Sequence, residues 1–230
     1  MVITEELKKN GIYLTDAQSE KMTAFCRILL EYNQKINLTS ITDEREIAVK
    51  HVLDSVKGLE YLPKKGKIVD VGSGAGFPSI PLIIVGESDD REFVLLDSLR
   101  KRVDFLNYVI KELELKNAVA VHARAEEEGR TRRCGYDCAV ARAVAPLNVL
   151  AEYALPLLKE RGVLVAYKGK PDEEIAAAER ALKMLNGKIK SVVRYRLADE
   201  YDRSFVIVEK TGKTPDKYPR GQNKPRILPL

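Results

Sequence analysis

Residues 68–78 read Ile-Val-Asp-Val-Gly-Ser-Gly-Ala-Gly-Phe-Pro, and no other stretch restricts the fold of this chain so sharply. A β-branched run ends in three glycines at alternate positions, Gly72, Gly74 and Gly76. Such a run is a buried strand opening into a tight turn, because glycine adopts positive φ and lets the backbone approach a ligand closely. In α/β folds the first strand-to-helix turn is where nucleotides dock. Spacing separates the ligands. A dinucleotide fingerprint leaves two residues between its second and third glycines, which would put the third glycine at Phe77. Here it is Gly76. G-x-G-x-G after an acid is the S-adenosylmethionine pattern. The plain alternative is a glycine-rich turn that holds no ligand.

From Lys67 onward strand and helix alternate. The pattern predicts strands at 67–71, 92–97, 118–122, 136–141, 162–168, 188–196 and 203–209. Helices fill the gaps at 79–86, 99–114, 147–158 and 172–186. Alternation of this kind implies a mainly parallel sheet with helices on both faces. The last two strands lie too close in sequence for a crossover helix, so they pair as a hairpin. The expected fold is α/β: a doubly wound, mainly parallel seven-stranded sheet, Rossmann-like, in its methyltransferase version.

Residues 1–62 form an N-terminal helical extension. Thr15-x-x-Gln18 is a capping box ahead of Met22, Phe25, Cys26, Leu29 and Leu30 at helical spacing. Asn37-Leu38-Thr39 ends that helix, and a second helix runs from Asp43 to about Tyr61. Residues 63–209 are the α/β domain. Residues 210–230 hold four prolines and read as an extended arm.

The net charge of +5 is carried by that arm. There six basic residues, from Lys210 to Arg226, face the single acid Asp216, so the rest of the chain is balanced. A basic arm suggests a polyanion partner; the plain alternatives are a solvated terminus and a strap packed on the domain with Tyr218 and Leu228 buried. Apolar runs are short and the N-terminus lacks a basic-then-apolar leader, so the expectation is a cytoplasmic protein without membrane spans. Cys26, Cys134 and Cys138 have no zinc-site spacing, and reduced thiols without metal are expected.

Asp97 closes the second strand, where an acid accepts hydrogen bonds from ribose hydroxyls. Capping of the next helix is its alternative, and the two roles are compatible. Ala125 and Glu126 follow the third strand, at the edge that meets adenine in this fold. Arg142 ends the fourth strand and is suited to a phosphate, a guanine edge or a carboxylate. His51 and His122 carry no assigned role.

Together these segments resemble the glucose-inhibited division protein B family, bacterial small-subunit rRNA guanine-N7 methyltransferases. The resemblance runs from Asn37-Leu38-Thr39 and His51-x-x-Asp54-Ser55 through the glycine turn with Phe77-Pro78-x-Ile80-Pro81-Leu82. It continues in Leu96-Asp97-Ser98, Arg124-Ala125-Glu126, Ala141-Arg142-Ala143-Val144-Ala145, Tyr167-Lys168-Gly169 and Lys217-Tyr-Pro-Arg220. Ser79 and Ala141 depart from the family's usual Gly and Ser. The resemblance implies S-adenosylmethionine held at Gly72, Gly74, Gly76, Phe77, Asp97, Ala125, Glu126 and Arg142. It implies 16S rRNA or the small subunit as substrate. RNA contacts are expected at Lys168 and at the arm cations Lys217, Arg220, Lys224 and Arg226, and the expected state is a monomer. Guanine N7 carries a lone pair and no proton, so its methylation needs no general base. Two other readings remain: a noncatalytic RNA-binding assembly factor on the same fold, and an NAD-dependent oxidoreductase, against which Phe77 argues.

Overall fold

The computed structural model describes residues 2–86 and 90–230, so Met1 of the expected extension lies outside it. Two helices lead, α1 (Val2–Lys9) and α2 (Asp16–Ile36). The capping box forms as the sequence implies. Gln18 N–H donates to Thr15 Oγ1 at 3.2 Å and Thr15 N–H to Gln18 Oε1 at 3.0 Å.

The second helical stretch is not one helix. It begins as α3 (Glu44–Glu46), widens into a π-helix over Ile47–Leu53, narrows to α4 (Asp54–Lys57) and ends as a 3-10 turn at Gly58–Tyr61. π segments inside helices occur often at functional sites. This one exposes carbonyls to side-chain donors: Ser55 Oγ donates to His51 O at 2.6 Å, and Arg142 Nη1 to Lys50 O at 2.9 Å.

The α/β part runs β1 (Lys65–Val71), α5 (Ser79–Val85), β2 (Asp90–Asp97), α6 (Arg100–Glu112), β3 (Ala118–His122) and α7 (Ala125–Thr131). It continues with β4 (Tyr136–Arg142), α8 (Leu147–Ala154), β5 (Leu158–Lys168), α9 (Asp172–Leu185), β6 (Gly187–Leu197), β7 (Tyr201–Lys210) and α10 (Lys224–Ile227). Among the described residues the seven strands form one sheet, in the order β3-β2-β1-β4-β5-β7-β6. β7 runs antiparallel to both its neighbours, β5 and β6, and the other pairings are parallel. Helix α8 stops sooner than the sequence implies, because Pro156 has no N–H to continue the helical ladder past Leu155.

Side chains alternate between two cores. Ile68 faces the core built with Phe25, Ile80 and Phe105. Val69 and Val71 face the core built with Leu150, Ala154 and Leu182. The strand order reverses between β1 and β4, which both grow from the middle of the sheet. A crevice opens there beyond the strand C-termini.

The arm is not extended into solvent. Tyr218 is 4 % exposed and belongs to the second core. Arg133 donates to the carbonyls of Tyr218 and Pro215 at 2.6 and 3.1 Å and also to that of Thr214. Arg220 lies against Glu152, which is fully buried, with side-chain bonds of 2.9 and 2.6 Å. Residues 211–220 are therefore a strap fastened to α8, because the aromatic ring and the ion pair outweigh the solvation of a free basic tail.

Candidate active site

Strand β1 delivers the glycine turn. Gly72, Gly74 and Gly76 all have positive φ, at 76°, 56° and 90°. Their surroundings differ. A Cβ on Gly72 would stand 2.9 Å from Val144, on the loop after β4. One on Gly74 would find nothing closer than 3.8 Å, so that edge of the loop faces open space. One on Gly76 would strike Ile80 at 2.7 Å and Phe25 at 3.3 Å. Gly76 thus lets α2 and α5 close on the turn. Phe77 also turns into the core, with its ring 5.2 Å from Phe25 and stacked on His51 at 4.5 Å.

Asp97 ends β2 and is 3 % exposed. Its Oδ2 accepts Gly74 N–H and its Oδ1 accepts Leu99 N–H, both at 2.9 Å. It therefore fixes the glycine turn and starts α6. A carboxylate offers about four acceptor positions, so acceptor capacity remains for a ligand's hydroxyls.

Gly72, Asp97, Ala125 and Glu126 line one cavity of about 320 Å³. Glu126 is buried, and its Oε1 has no hydrogen-bond partner. An unpaired buried polar atom costs about 1–3 kcal/mol, which a ligand donor would relieve. With Leu96 and Ala123 as apolar walls, these residues fit an adenosine group, whose hydroxyl and amino donors Asp97 and Glu126 would accept.

A second cavity, about 610 Å³, lies across Val144, which lines both. Ala143 holds the dividing loop in a left-handed turn, at φ 57°. Arg142 belongs to this second cavity. Its Nη1 donates to Asp54 Oδ2 at 3.0 Å and to Lys50 O at 2.9 Å, and its Nη2 donates to His51 Nδ1 at 3.0 Å. Tyr195 OH from β6 donates to Asp54 Oδ1 at 2.8 Å. Because an arginine only donates, His51 Nδ1 is bare and Nε2 carries the proton, given to Thr39 Oγ1 at 2.9 Å. Burial and the Arg142 charge push the His51 pKa down to about 3. The imidazole is neutral, and both nitrogens are engaged.

Beneath the glycine turn Asp70 is fully buried, with neither carboxylate oxygen in a well-formed hydrogen bond. Burial pushes its pKa up to about 7 against the pull of the Ser79 and Ser73 hydroxyls.

The expected RNA contacts divide. Lys168 donates to Ala145 O at 2.8 Å and pairs with Glu174, so its ammonium is committed inside the second cavity's wall. Arg220 is committed to Glu152. Both side chains are thus engaged in internal ion pairs. Lys217 and Lys224 are exposed. Arg226 donates to Val144 O at 2.8 Å and lines the first cavity. His122, exposed, reaches only Ser98 O at 3.1 Å.

His51, Asp54, Tyr195 and Asn223 are site residues to which sequence reasoning assigns no role. His51-x-x-Asp54 gives the only signal, a pair three apart on one helix face.

A seven-stranded sheet with β7 reversed, a glycine turn after β1 and an acid closing β2 define an S-adenosylmethionine-dependent methyltransferase. Solved structures share the fold. TYW2 from M. jannaschii, in complex with AdoMet, matches with TM-score 0.57 at 14% identity, over 76% of this chain and 78% of that one. Aeropyrum pernix fibrillarin, with natively bound S-adenosyl-L-methionine, matches with TM-score 0.53 at 17% identity, over 68% and 72%. Residues 18–205 match the family described as GidB, rRNA small subunit methyltransferase G. Two relatives named ribosomal RNA small subunit methyltransferase G are much closer in sequence. The one from Acetivibrio thermocellus is 45% identical over 96% of this chain and 92% of its own length. The one from Alkaliphilus metalliredigens is 42% identical over 100% and 98%. The chain belongs to the rRNA small subunit methyltransferase G family.

Proposed function

We propose that this protein transfers a methyl group from S-adenosylmethionine to N7 of a guanine in 16S rRNA, acting as a cytoplasmic monomer. The observation that carries the atom assignment is the state of the second cavity. Among the described residues lining it, each candidate base already has a partner. His51 is held by Arg142 and Thr39, Asp54 by Arg142 and Tyr195, and Glu174 by Lys168 and Leu147 N–H. A guanine amino group or N1 must lose a proton to be methylated, whereas N7 has none to lose.

When bound, the cofactor supplies an electrophilic methyl on a sulfonium. The protein's part is placement. Asp97 and Glu126 accept from the adenosine end, and the Gly74 edge permits close approach. Arg142, neutralised by Asp54, holds the β4 loop between the two cavities and keeps His51 unprotonated. Orientation of this kind supplies roughly 7–11 kcal/mol of barrier lowering. The target base must be unstacked to enter. Lys217 and Lys224 are the arm cations that remain available to RNA phosphates.

Borohydride and aniline treatment of small-subunit RNA methylated by the protein tests the reading. Strand cleavage at the modified base is expected, and methyl incorporation without cleavage would move the reaction to another atom. An assembly factor without catalysis would incorporate no methyl at all.

A further inference from the structure

We infer that the C-terminal segment is the closing wall of the cofactor cavity, and that Asn223 and Arg226 are cofactor-positioning residues on it. The inference rests on the cofactor reading of the first cavity. Arg226 and Asn223 line that cavity together with Gly72, Asp97 and Glu126. The segment is held firmly up to Arg220, whose main-chain N–H also donates to Glu152 Oε1 at 2.8 Å. Gln222 and Asn223, both at φ 58°, then turn the chain back toward the sheet and lay α10 at the cavity. The Asn223 side chain makes no cap bond to that helix, so its amide is not spent on local structure.

Beyond the anchor the attachment is slight. Pro225 is buried and Leu230 packs partly buried against the second core, while Ile227 and Leu228 between them are 73% and 69% exposed. Arg226 itself is exposed and tied by its bond to Val144 O at 2.8 Å. A wall fastened firmly up to Arg220 and held beyond it by a few contacts can open to admit a ligand and close behind it. Its chemistry suits a purine nucleoside. A guanidinium stacks on aromatic faces and only donates, while Asn223 both donates and accepts. The cavity's opposite side offers acceptors, Asp97 and the unpaired Glu126 Oε1. The Val144 bond also joins this wall to the loop that bounds the second cavity, so nucleoside binding and loop position are mechanically linked.

Calorimetric titration with S-adenosylhomocysteine tests the inference on four proteins. These are the wild type, a chain ending at Gln222, Arg226→Gln, and the exposed-site control Ile227→Gln. The truncated chain and Arg226→Gln are expected to bind at least about tenfold more weakly, with faster dissociation, because charge-assisted bonds to the ligand disappear. The unliganded melting temperature of Arg226→Gln should stay near wild type, because the anchor at Arg220, Pro225 and Leu230 are intact. Ile227→Gln should bind as wild type. Affinity within twofold of wild type in Arg226→Gln would overturn the inference, even if the truncated chain proved unstable. A wild type that binds neither S-adenosylhomocysteine nor S-adenosylmethionine would instead remove the cofactor reading beneath it.

Discussion

The two cavities on either side of Val144 are built on opposite terms. In the first, acceptors are left with capacity: Asp97 uses two of its positions, and Glu126 Oε1 uses none. In the second, Arg142, His51, Asp54, Lys168 and Glu174 satisfy one another. One cavity waits for a ligand to complete its hydrogen bonds. The other is complete already, and so offers shape and a fixed wall in place of proton chemistry. The difference shows that the groups in a site that look most catalytic, a buried His beside an Arg and an Asp, can be its framework.

The largest test of this contrast falls on the framework. Arg142→Ala leaves Asp54, 4% exposed at its side chain, without its hydrogen-bonded cation and with only the looser Arg203 pair at 3.7 Å. Breaking one partner of a buried pair costs about 3–5 kcal/mol, so chemical denaturation should show a loss of that size. A loss below about 1 kcal/mol would mean that Arg142 is a ligand contact after all.

The next test uses pH and two groups of opposite sign. Asp70, raised to about 7, adds stability that is full below its ordinary value and is lost as pH rises toward 7. His51, lowered to about 3, adds stability that is full above its ordinary value and is lost as pH falls toward 3. Each effect is at most on the order of 4–5 kcal/mol, and between pH 4 and 7 they offset. Stability of Asp70→Asn should therefore rise with pH across that window, relative to wild type, and stability of His51→Gln should fall. Parallel curves for all three proteins would deny that these groups are buried as described.

Asp97→Ala probes the open cavity. S-adenosylhomocysteine binding should weaken by about 1.5–3 kcal/mol, the usual worth of a hydrogen bond to a charged group. Unchanged calorimetric affinity would take Asp97 out of the site. The smallest effect belongs to the arm. Lys217→Gln with Lys224→Gln should lower the slope of log RNA affinity against log salt by roughly 0.7–0.9 for each phosphate no longer neutralised. Cofactor affinity should not move, and a constant slope would mean that the arm does not touch RNA at these positions.

The strands are legible because β-branched runs announce them. β3 falls at 118–122 as the pattern predicts, while β5 begins at Leu158, its charged Lys-Glu-Arg start disguising a strand. Helix α7 escapes such a reading because Ala-Glu-Glu-Glu-Gly-Arg-Thr has no apolar period. The π-helix is invisible in the sequence, since Arg142, which uses its carbonyls, lies far along the chain. Gly72, Asp97 and Glu126 can be placed because each sits at a strand end next to a recognisable turn. The arm cannot. Prolines and cations look alike in a free tail and in a strap, and the deciding partner, Glu152, lies 68 positions away.

Asp54 bears on how this architecture could be rearranged. It receives Arg142 from 88 positions downstream and Tyr195 from 141 positions downstream. The helical extension therefore cannot be treated as an interchangeable module. A chimera that grafted another protein's leading helices onto this sheet would strand a guanidinium and a phenol inside the molecule, unless the donor brought a carboxylate and a widened turn to the same spot. Recombination across this boundary is permitted only between parents that share that joint, which makes the two parts a single unit of inheritance.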